Sequence, residues 1–590
     1  METVPFIPDS APFTPEQRSW LNGFLAGWLS GANGTAPNGA VAAPAEAAKP
    51  LLILFGSQSG TAESIAKQVG KEASGKGYAS RVVDLAKHET VDLQKESDVL
   101  VITSTWGEGD MPDNAQPFWE RISSAEHPKL TNVRYSVLAL GDKNYGDTFC
   151  QAGRLLDKRF EELGAARFRE RIDCDVDYST NLRSWLDGVW EKLASAPTPG
   201  AAAAPAPTPA AVASKAEAKA PEPYSRKNPF PARLLVNRKL NGAGSGKDTR
   251  HFEISLAGSG LTYEAGDALG VFPQNCPELV RDVLSVLGYS GDEAVPLPDG
   301  GSAPVREALQ KNYDLRIPNT QLIQAVDSLK ELTASDRKED LKKWLWGREV
   351  IDVLAEAPKG SFPPAELVGF LRKLQPRLYS ISSSPKAHPD EVHLTVARVG
   401  YDAHSRGRKG VCSTFLADRV TPDMPLPIFF QVSKHFRVPH NTDLPTIMVG
   451  PGTGIAPFRA FLEERQATGA KGKNWLFFGD QKASTDFLYQ EQLMEMQSAG
   501  VLNRLDLAFS RDQAEKIYVQ NRMLENGMEL WKWLEEGAYF YVCGDASRMA
   551  KDVDLALHQV IETHGGMSAE AAAVYVAKLK SEKRYARDVY

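Results

Sequence analysis

The sequence contains few cysteines, and none of them are paired at short spacing. Among its 590 residues there are five cysteines, and no Cys-x-x-Cys sequence occurs. Disulfide frameworks, zinc sites and iron-sulfur clusters are built from cysteines that are paired or regularly spaced. We therefore expect no disulfide scaffold, and we expect no bound metal.

Long hydrophobic runs and clusters of basic residues are also missing. The apolar stretch at residues 20–29 is interrupted by Asn22, Gly23 and Gly27 and is too short to cross a bilayer. Residues 1–17 carry no basic segment followed by an apolar one, so we expect no secretory signal and a cytoplasmic protein. The net charge is −7, without a basic-aromatic stripe. We expect neither a membrane partner nor a nucleic-acid partner.

Two segments rich in alanine, proline and glycine divide the chain. One covers residues 31–50 and the other covers residues 195–223. Neither segment can bury enough apolar surface to order itself. The second is expected to act as a tether that keeps a moving module close to its neighbour, although its composition is equally compatible with a passive spacer.

The remaining segments show two patterns of hydrophobicity. Residues 51–194, and the chain from residue 444 onward, alternate short apolar runs with helical segments, which is typical of parallel sheets covered by helices. Residues 233–272 alternate apolar and polar positions between turns, as antiparallel barrel strands do. Residues 277–375 have a mostly helical pattern. The sequence therefore predicts an α/β domain, a barrel with a helical insertion, and a second α/β domain.

A loop rich in hydroxyl groups follows the first predicted strand and leads directly into a helix. Hydroxyls and free backbone N–H groups at a helix N-terminus can bind a phosphate without a lysine, and no Walker sequence is present here. On its own, such a loop is equally often a polar turn. The candidate phosphate ligands are Ser57, Gln58, Ser59, Gly60, Thr61 and Ala62.

Two further loops follow later strands of the same domain, at the sheet edge where open α/β sheets bind ligands. Each loop offers glycines for close approach and one aromatic side chain, Trp106 or Tyr145, that suits a flat ring system. Three such loops in this order resemble flavodoxins and the FMN domains of diflavin reductases. The resemblance implies FMN, with its ring surrounded by Ser104, Thr105, Trp106, Gly107, Leu140, Gly141, Asp142, Asn144, Tyr145, Phe149 and Cys150.

Acidic residues are concentrated beside these loops. Residues 51–190 contain 22 aspartates and glutamates against 17 lysines and arginines. An acidic rim would accelerate encounter with a basic partner, although it is equally compatible with a simple solvated edge. The residues of this rim are Glu108, Asp110, Asp113, Asp142 and Asp147.

The second half of the chain carries motifs suited to a second dinucleotide. Arg377 and Tyr379 alternate on a predicted strand, where an arginine can hold a pyrophosphate and a tyrosine can stack on a flavin. Gly410 opens a predicted helix that offers N–H groups to another phosphate. Gly-Pro-Gly-Thr-Gly-Ile-Ala-Pro at residues 450–457 departs from the Rossmann fingerprint. In this order, the three motifs resemble the ferredoxin-NADP reductase superfamily.

That resemblance implies a barrel that binds FAD and an α/β domain that binds NADP. The FAD ligands would be Arg377, Leu378, Tyr379, Ser380, Thr395, Val396, Ala397, Tyr401, Gly410, Val411, Cys412, Ser413 and Tyr590. The resemblance also implies that Tyr590 covers the flavin ring and must move before the nicotinamide can reach it. The catalytic residues that line the nicotinamide would be Ser380, Cys543, Asp588 and Tyr590.

Cations beyond a predicted apolar strand indicate which nicotinamide cofactor is used. Arg511 and Lys516 suit the 2′-phosphate of NADPH, whereas an NADH site favours an acidic residue at the ribose. The alternative is a charged loop in which these cations pair with Asp512 and Glu515. The candidate NADP ligands are Gly452, Thr453, Gly454, Ser510, Arg511, Lys516, Ile517, Tyr518, Val519, Gln520 and Asp552.

From residue 51 onward the chain is identified as a member of the diflavin reductase family. Residues 13–24 and 584–590 are similar to the flavoprotein subunits of assimilatory NADPH-sulfite reductases. The resemblance implies that electrons pass from NADPH to FAD, to FMN and then to a separate haem and iron-sulfur subunit that reduces sulfite to sulfide. It also implies a homo-oligomer that assembles through the N-terminal segment.

The predicted fold is multidomain, with a flavodoxin-like α/β domain followed by a ferredoxin-NADP-reductase-like module. The predicted boundaries are 1–30 for the assembly segment, 31–50 for a disordered tether, 51–194 for the FMN domain, 195–223 for the Ala/Pro linker, 224–440 for the FAD-binding barrel with its helical insertion at about 277–370, and 441–590 for the NADPH-binding domain. Other acceptors remain possible at this point: a haem monooxygenase or another cytochrome, or quinone or oxygen without a protein partner. A scaffold that binds no flavin is the non-enzymatic alternative.

Overall fold

The computed structural model describes residues 49–57, 60–106, 109–112, 114–175, 178–195, 224–334 and 337–590. The predicted assembly segment, the tether up to residue 48 and residues 196–223 of the linker lie outside the described residues. The same is true of Gln58, Ser59, Gly107, Glu108 and Asp113, and of the side chains of Asn144, Tyr145 and Asp147. Residues 50–590 form one compact unit, and this unit is described below.

The first domain contains a sheet that is apolar on both faces. Leu51 and Ile53 pack on one side of the strand Lys49–Gly56, whereas Leu52 and Leu54 pack on the other. Because successive side chains of a strand point to opposite faces, this pattern requires helices on both sides. The strands lie in the order Tyr78–Asp84, Lys49–Gly56, Asp98–Ser104, Arg134–Leu140 and Ala166–Arg167, with Ile172–Cys174 also beside Arg134–Leu140. The α-helices are Thr61–Gly75, Gln116–Ser123, Gln151–Glu162 and Ser179–Ala194.

Three strands of this sheet end at the same edge. Gly56 pairs with Thr103 and Ser104 pairs with Leu140 in parallel register. The loops that follow these three strands therefore begin side by side. The fold thus brings together the three predicted FMN loops, which are separated along the chain.

The second domain is an antiparallel barrel. Its strands lie in the order Arg377–Ser380, Ala268–Val271, Leu426–Gln431, Phe230–Lys239, Thr249–Ser255 and Glu391–Ala397. An antiparallel bridge between Ile381 and Leu394 joins the first of these strands to the last, which closes the sheet on itself. Closure leaves no strand edge exposed between them. A hairpin of Gly400–Ala403 and Arg406–Lys409 extends from the barrel.

A helical insertion with its own hydrophobic core separates two strands of the barrel. Arg408, on the barrel hairpin, is 2% exposed and forms ion pairs with Glu349 and Asp352 of the insertion. These contacts hold the insertion against the barrel. The α-helices of the insertion are Pro277–Leu287, Val305–Lys311, Thr320–Gln324, Lys338–Leu345, Val350–Leu354 and Pro364–Phe370, and the strands Ala294–Pro296 and Ser302–Pro304 form a small hairpin.

The third domain is a parallel sheet covered by helices. Its strands lie in the order Arg504–Phe509, Asn474–Asp480, Thr446–Val449, Tyr539–Gly544 and Tyr585–Val589. The chain starts at the central strand Thr446–Val449 and then builds outward in both directions, so the switch point for ligand binding lies at the end of that strand. The longer helices are Ala456–Ala467, Gln490–Ser498, Val519–Glu525, Gly527–Glu535, Met549–Gly565 and Ala569–Ser581.

The predicted fold class is confirmed. A flavodoxin-like domain precedes a closed antiparallel barrel with a helical insertion, and a second parallel α/β domain follows. Among the helices that the structure describes, none combines the length and apolar character needed to span a bilayer.

Candidate active site

One cleft of about 2180 Å³ joins the candidate sites for both flavins. Its walls include Ser57 and Trp106 of the flavodoxin-like domain, Arg377 and Tyr379 of the barrel, and Tyr590 at the end of the third domain. These side chains come from all three domains. The cleft therefore forms only when the three domains are packed together.

The candidate phosphate loop contains a buried hydroxyl group without a partner. Ser57 is 5% exposed, and its Oγ atom has no hydrogen-bond partner among the residues that the structure describes, although its backbone N–H donates to Asn114 Oδ1 at 2.8 Å. Gly60 has a φ of 85° and is the N-cap residue of the helix Thr61–Gly75. A buried hydroxyl without a partner and a helix N-terminus fit a phosphate. Ala62 is fully buried and contributes packing.

The two predicted flavin loops are held together by backbone contacts. The Thr105 N–H donates to the Leu140 carbonyl at 2.9 Å, and the Gly141 N–H donates to the Cys174 carbonyl at 2.9 Å. The buried Cys150 thiol donates to the Ala139 carbonyl at 3.3 Å, and burial raises its pKa. The residues of this set that line the cleft are Ser104, Thr105, Trp106, Leu140, Gly141, Asp142, Phe149 and Cys150.

Trp106 has a second contact that the sequence did not indicate. Its half-buried side chain packs against a hydrophobic cluster of the third domain that includes Val576 and Tyr585. The predicted FMN ring partner is therefore also part of an interdomain contact.

The first FAD motif lies on the strand Arg377–Ser380 along one wall of the cleft. Arg377 Nη1 donates to the Gln375 carbonyl at 3.2 Å, and its Nη2 lies 3.6 Å from Asp314 Oδ2. Tyr379 packs against the barrel core, and burial raises its pKa well above the ordinary value. Between them, Leu378 is 51% exposed. The alternation predicted for this strand places Arg377 and Tyr379 at the same wall.

The second FAD motif begins a short α-helix that continues with a different helical geometry. Gly410 precedes an α-helix of only four residues, Val411–Thr414, which continues as a π-helix to Arg419. The Ser413 hydroxyl accepts a hydrogen bond from the Val399 N–H at 3.1 Å, and burial raises the pKa of the Cys412 thiol to about 11. The cleft is also lined by Thr395, Val396, Ala397, Gly410 and Val411. By contrast, Tyr401 lies on the barrel hairpin and does not line the cleft.

Three predicted catalytic residues converge from three strands. Ser380 Oγ donates to Asp588 Oδ2 at 2.5 Å, and Cys543 Sγ lies 3.9 Å from the same oxygen. Cys543 and Asp588 are register partners on neighbouring parallel strands. Burial raises the pKa of the Asp588 carboxyl and that of the Cys543 thiol. A thiol with a raised pKa stays protonated, so Cys543 is a hydrogen-bond donor here and a poor nucleophile.

Tyr590 is held at the cleft by three hydrogen bonds. Its N–H donates to the Gly544 carbonyl at 3.0 Å, and its carbonyl accepts from the Ala546 N–H at 3.1 Å. Its hydroxyl lies 2.8 Å from Thr453 Oγ1. The residue is 58% exposed and nonetheless anchored, so it is not a frayed end. Releasing the hydroxyl contact would free the ring while the backbone contacts hold the chain.

The glycine loop follows the central strand of the third domain at its switch point. Gly452 has a φ of 58°, and a Cβ atom on Gly454 would lie 2.1 Å from the Cys543 carbonyl oxygen. Asp480, which the sequence did not single out, ends the neighbouring strand. Within the described residues, its Oδ2 atom is buried without a hydrogen-bond partner, and it is the atom nearest to a Cβ position on Gly452, at 4.0 Å. Asp480 belongs to no sequence motif, so the sequence alone could not identify it as a candidate site residue.

The candidate 2′-phosphate residues lie just beyond the strand Arg504–Phe509. Arg511 and Lys516 are exposed, and within the described part of the chain neither forms an ion pair. The alternative of a charged loop, in which these cations pair with Asp512 and Glu515, is therefore not observed. Ser510 Oγ donates to the Asp480 carbonyl at 3.2 Å. Tyr518 is 45% exposed and precedes the helix Val519–Glu525. Ile517 is half-buried and Val519 is buried. Gln520 Nε2 donates a hydrogen bond to Asp552 Oδ2 at 3.2 Å.

Comparison with known proteins was consistent along the whole chain. Family models described as flavodoxin, FAD binding domain and oxidoreductase NAD-binding domain match residues 53–185, 222–415 and 448–554. A protein of Bacillus subtilis named "Sulfite reductase [NADPH] flavoprotein alpha-component" is 45% identical, over 98% of this chain and 96% of its own length. The chain belongs to this family. Proteins with the same name in Vibrio vulnificus and Vibrio cholerae are 42% and 45% identical, over 100% and 98% of this chain and 96% and 93% of their own lengths.

Membership of the sulfite reductase flavoprotein family confirms several predictions. The chain is an NADPH-dependent oxidoreductase, and its three domains use FMN, FAD and NADPH. The roles of individual ligand residues and the exact domain boundaries stay predictions.

Proposed function

We propose that this chain passes electrons from NADPH through FAD and FMN to a separate haem and iron-sulfur subunit that reduces sulfite to sulfide. The observation that supports this most directly is the single cleft lined by the candidate residues of both flavin sites. The shared name of the relatives supports sulfite as the final acceptor. When bound, FAD supplies the chemistry that accepts a hydride from NADPH and releases single electrons to FMN.

At the first flavin, the loop from Ser57 to the helix Thr61–Gly75 would bind the FMN phosphate. The Ser57 hydroxyl lacks a partner, and the helix N-terminus contributes a partial positive charge. Trp106 and the loop after the strand Arg134–Leu140 would enclose the ring. These contacts orient FMN at the edge of the sheet, facing the barrel.

At the second flavin, Arg377 would bind the pyrophosphate of FAD and Tyr379 would pack against the ring. The backbone N–H groups after Gly410 would hold a second phosphate position. Tyr590 would cover the ring until the nicotinamide displaces it. Displacement requires breaking the contact between the Tyr590 hydroxyl and Thr453.

At the nicotinamide, Ser380, Cys543 and Asp588 would provide one polar surface. The Asp588 carboxyl accepts from both other residues and is placed to stabilise positive charge that develops on the nicotinamide ring. Arg511 and Lys516 would bind the 2′-phosphate, which explains a preference for NADPH.

The remaining elements of the proposal concern assembly. Residues 1–30 would mediate a homo-oligomer, residues 195–223 would tether the FMN domain, and the protein would act in the cytoplasm. Sulfite reduction to sulfide consumes six electrons, and each NADPH provides two. Three NADPH molecules are therefore needed for each sulfide.

The test is an absorbance titration of the purified chain with NADPH, after its released flavins have been quantified, with and without sulfite reductase haemoprotein. The proposal predicts one FMN and one FAD per chain, and sulfide only when the haemoprotein is present. Oxidation of NADPH without sulfide would assign the chain another acceptor, such as a cytochrome. Equal turnover with quinone or oxygen alone would make the partner unnecessary, and a colourless protein would refute flavin binding.

A further inference from the structure

A lysine of the barrel contacts the candidate FMN phosphate loop of the flavodoxin-like domain. Lys434 Nζ donates to Ser64 Oγ at 2.5 Å and lies 3.5 Å from the Gly60 carbonyl oxygen. Gly60 begins the helix Thr61–Gly75, and Ser64 lies in its first turn. A Cβ atom on Gly60 would lie 2.8 Å from Lys434 Cδ, so the lysine stem lies directly against the loop.

The loop that carries Lys434 is fixed to the barrel. The Ser433 N–H donates to Asp267 Oδ1 at 2.8 Å, and the Phe436 N–H donates to Ser433 Oγ at 3.3 Å. Asp267 is 3% exposed and also pairs with Arg437. The ammonium group is therefore held on a rigid support instead of at the end of a free loop.

The flavodoxin-like domain supplies no lysine of its own at this loop. Its sequence there, Gly-Ser-Gln-Ser-Gly-Thr-Ala, offers hydroxyls, one side-chain amide and backbone N–H groups, and it contains no cationic residue. The buried Ser57 hydroxyl, which has no partner among the described residues, lies in the loop before this helix, and the Lys434 ammonium contacts Gly60 and Ser64 at the helix N-terminus. A phosphate dianion bound at these N–H groups would be attracted to that ammonium.

We propose that Lys434 completes the FMN phosphate site from the neighbouring domain. The cation is present only when the flavodoxin-like domain is docked on the barrel, so the FMN phosphate and docking stabilise each other. By reciprocity, a chain that lacks FMN docks less strongly by the same factor. This inference rests on the proposed function, because it takes residues 57–62 as the site of the FMN phosphate.

Nearby contacts support docking but do not supply this charge to the phosphate loop. His435 Nε2 lies 3.7 Å from Glu63 Oε2, and Arg372 Nη1 donates to the Lys143 carbonyl at 2.8 Å. The imidazole of His435 faces the Glu63 carboxylate, which also interacts electrostatically with Lys434, and Arg372 lies at a different loop. Lys434 is thus the member of this interface that meets Gly60 and Ser64.

The experiment compares the dissociation constants of FMN and of riboflavin, which lacks the phosphate, for the full chain carrying FAD. Lys434→Gln is expected to raise the FMN dissociation constant about fivefold at low salt, and less at high salt. The riboflavin constant is expected to stay unchanged. Lys434→Arg should retain most of the FMN affinity. Lys227→Gln, at an exposed lysine of the same cleft, is the matched control and should bind FMN like the original chain.

Each other outcome overturns the inference. An unchanged FMN constant in Lys434→Gln, an equal loss for riboflavin, or an equal loss in Lys227→Gln would each remove the specific role of Lys434. FAD content and melting temperature must match the original chain, and Lys434→Arg provides the second variant if Lys434→Gln does not fold. Failure of every variant, the original chain included, to bind FMN would instead refute the proposed FMN site.

Discussion

Asp588 connects two side chains that are distant in sequence and belong to different domains. Its carboxyl accepts from Ser380 of the barrel and lies beside the Cys543 thiol of the third domain. The polar surface at the nicotinamide is therefore complete only where the barrel and the third domain meet. The Asp588 carboxylate therefore affects both the orientation of the Ser380 hydroxyl and the negative charge near the nicotinamide ring.

Arg511 is expected to select NADPH over NADH. Replacing it with alanine removes charge-assisted hydrogen bonds to the 2′-phosphate, so Arg511→Ala should raise the KM for NADPH roughly 10- to 100-fold. NADH lacks that phosphate, and its KM should be nearly unchanged. Steady-state kinetics with both cofactors measures the difference. Lys532→Ala, at an exposed lysine of the same domain, is the control. An equal loss with NADPH and NADH would contradict the assignment.

Tyr590 is expected to compete with the nicotinamide for the flavin face. Tyr590→Ser removes the ring, so kcat/KM for NADH should rise, because NADH has less binding energy available to displace it. Tyr590→Phe keeps the ring and loses only the hydroxyl contact with Thr453, so its cofactor preference should shift less. If Tyr590→Ser kept the original preference, the ring would not be the cover.

Sequence motifs identify residues that bind ligands more readily than they identify residues that contact other domains. Arg377, Arg511 and Tyr590 belong to motifs, and the structure places them at the cleft or beyond the predicted strand. Lys434 and Asp480 belong to no motif. Lys434 contacts a segment that is hundreds of residues away in the sequence, and Asp480 lies beside the glycine loop on a neighbouring strand. The spacing of residues along the chain does not indicate either contact.

At the scale of elements, a cluster of buried histidines joins the barrel to the third domain. His251 Nδ1 lies 2.9 Å from the Tyr489 hydroxyl, and Arg459 Nη1 lies 3.3 Å from His393 Nδ1. Because a guanidinium only donates, His393 Nδ1 accepts, and its proton lies on Nε2, which is 2.9 Å from Glu391. That proton occupies the position that a metal would need, so this geometry favours a hydrogen-bond network over a metal site.

The histidine cluster makes stability depend on pH. Burial lowers the pKa of His251 to about 2 and that of His393 to about 4, whereas both titrate near about 6.5 in an unfolded chain. The unfolded chain therefore binds more protons below pH 6.5, and the free energy of unfolding falls by up to about 1.4 kcal/mol per pH unit for each histidine. Melting temperatures should be level near neutral pH and fall below about pH 6.5.

Two variants distinguish protonation of the buried histidines from other causes of instability at low pH. His251→Asn should lower the melting temperature at neutral pH and reduce its dependence on pH. His404→Asn changes an exposed histidine whose φ of 50° an asparagine tolerates, and it should leave the pH dependence intact. A melting temperature that does not change between neutral and about pH 5 would contradict the linkage.

Element boundaries show where local patterns are insufficient. The strand Arg377–Ser380 was predictable from alternation, whereas the helix after Gly410 ends after four residues and widens into a π-helix. Arg419 at its end is half-buried, and its Nη2 donates to the carbonyls of Gln274 and Val411. These hydrogen bonds join the π-helix to a distant loop. The helix propensities of the residues do not predict this change from an α-helix to a π-helix.

At the scale of the whole molecule, the order of domains was predictable and their packing was not. Each nucleotide motif marks its own domain, so three motifs in sequence predict three domains. The shared cleft depends instead on Trp106 packing against the third domain and on Lys434 contacting Ser64. These side chains are ordinary surface residues when each domain is considered alone.

The shared cleft predicts that electron transfer between the flavins takes place within one chain. Stopped-flow reduction by NADPH should show an FMN reduction rate that is independent of protein concentration, because both sites face the same space. As a control, mixing a chain that lacks FMN with one that lacks FAD should give a rate that rises with concentration. A concentration-dependent rate in the intact chain would place the transfer between molecules.

The pairing of the edge strand Tyr585–Val589 has a practical consequence for refolded protein. This strand lies at the end of its sheet and meets only the strand Tyr539–Gly544, with Asp588 opposite Cys543. A slip of one residue would turn Asp588 to the opposite face and shift Tyr590 at the cleft, whereas the candidate flavin ligands on the flavodoxin-like domain and the barrel would keep their places. Such molecules would be fully coloured yet inactive. Flavin content therefore overestimates the active fraction of a refolded preparation, and active molecules have to be counted by titration with NADPH.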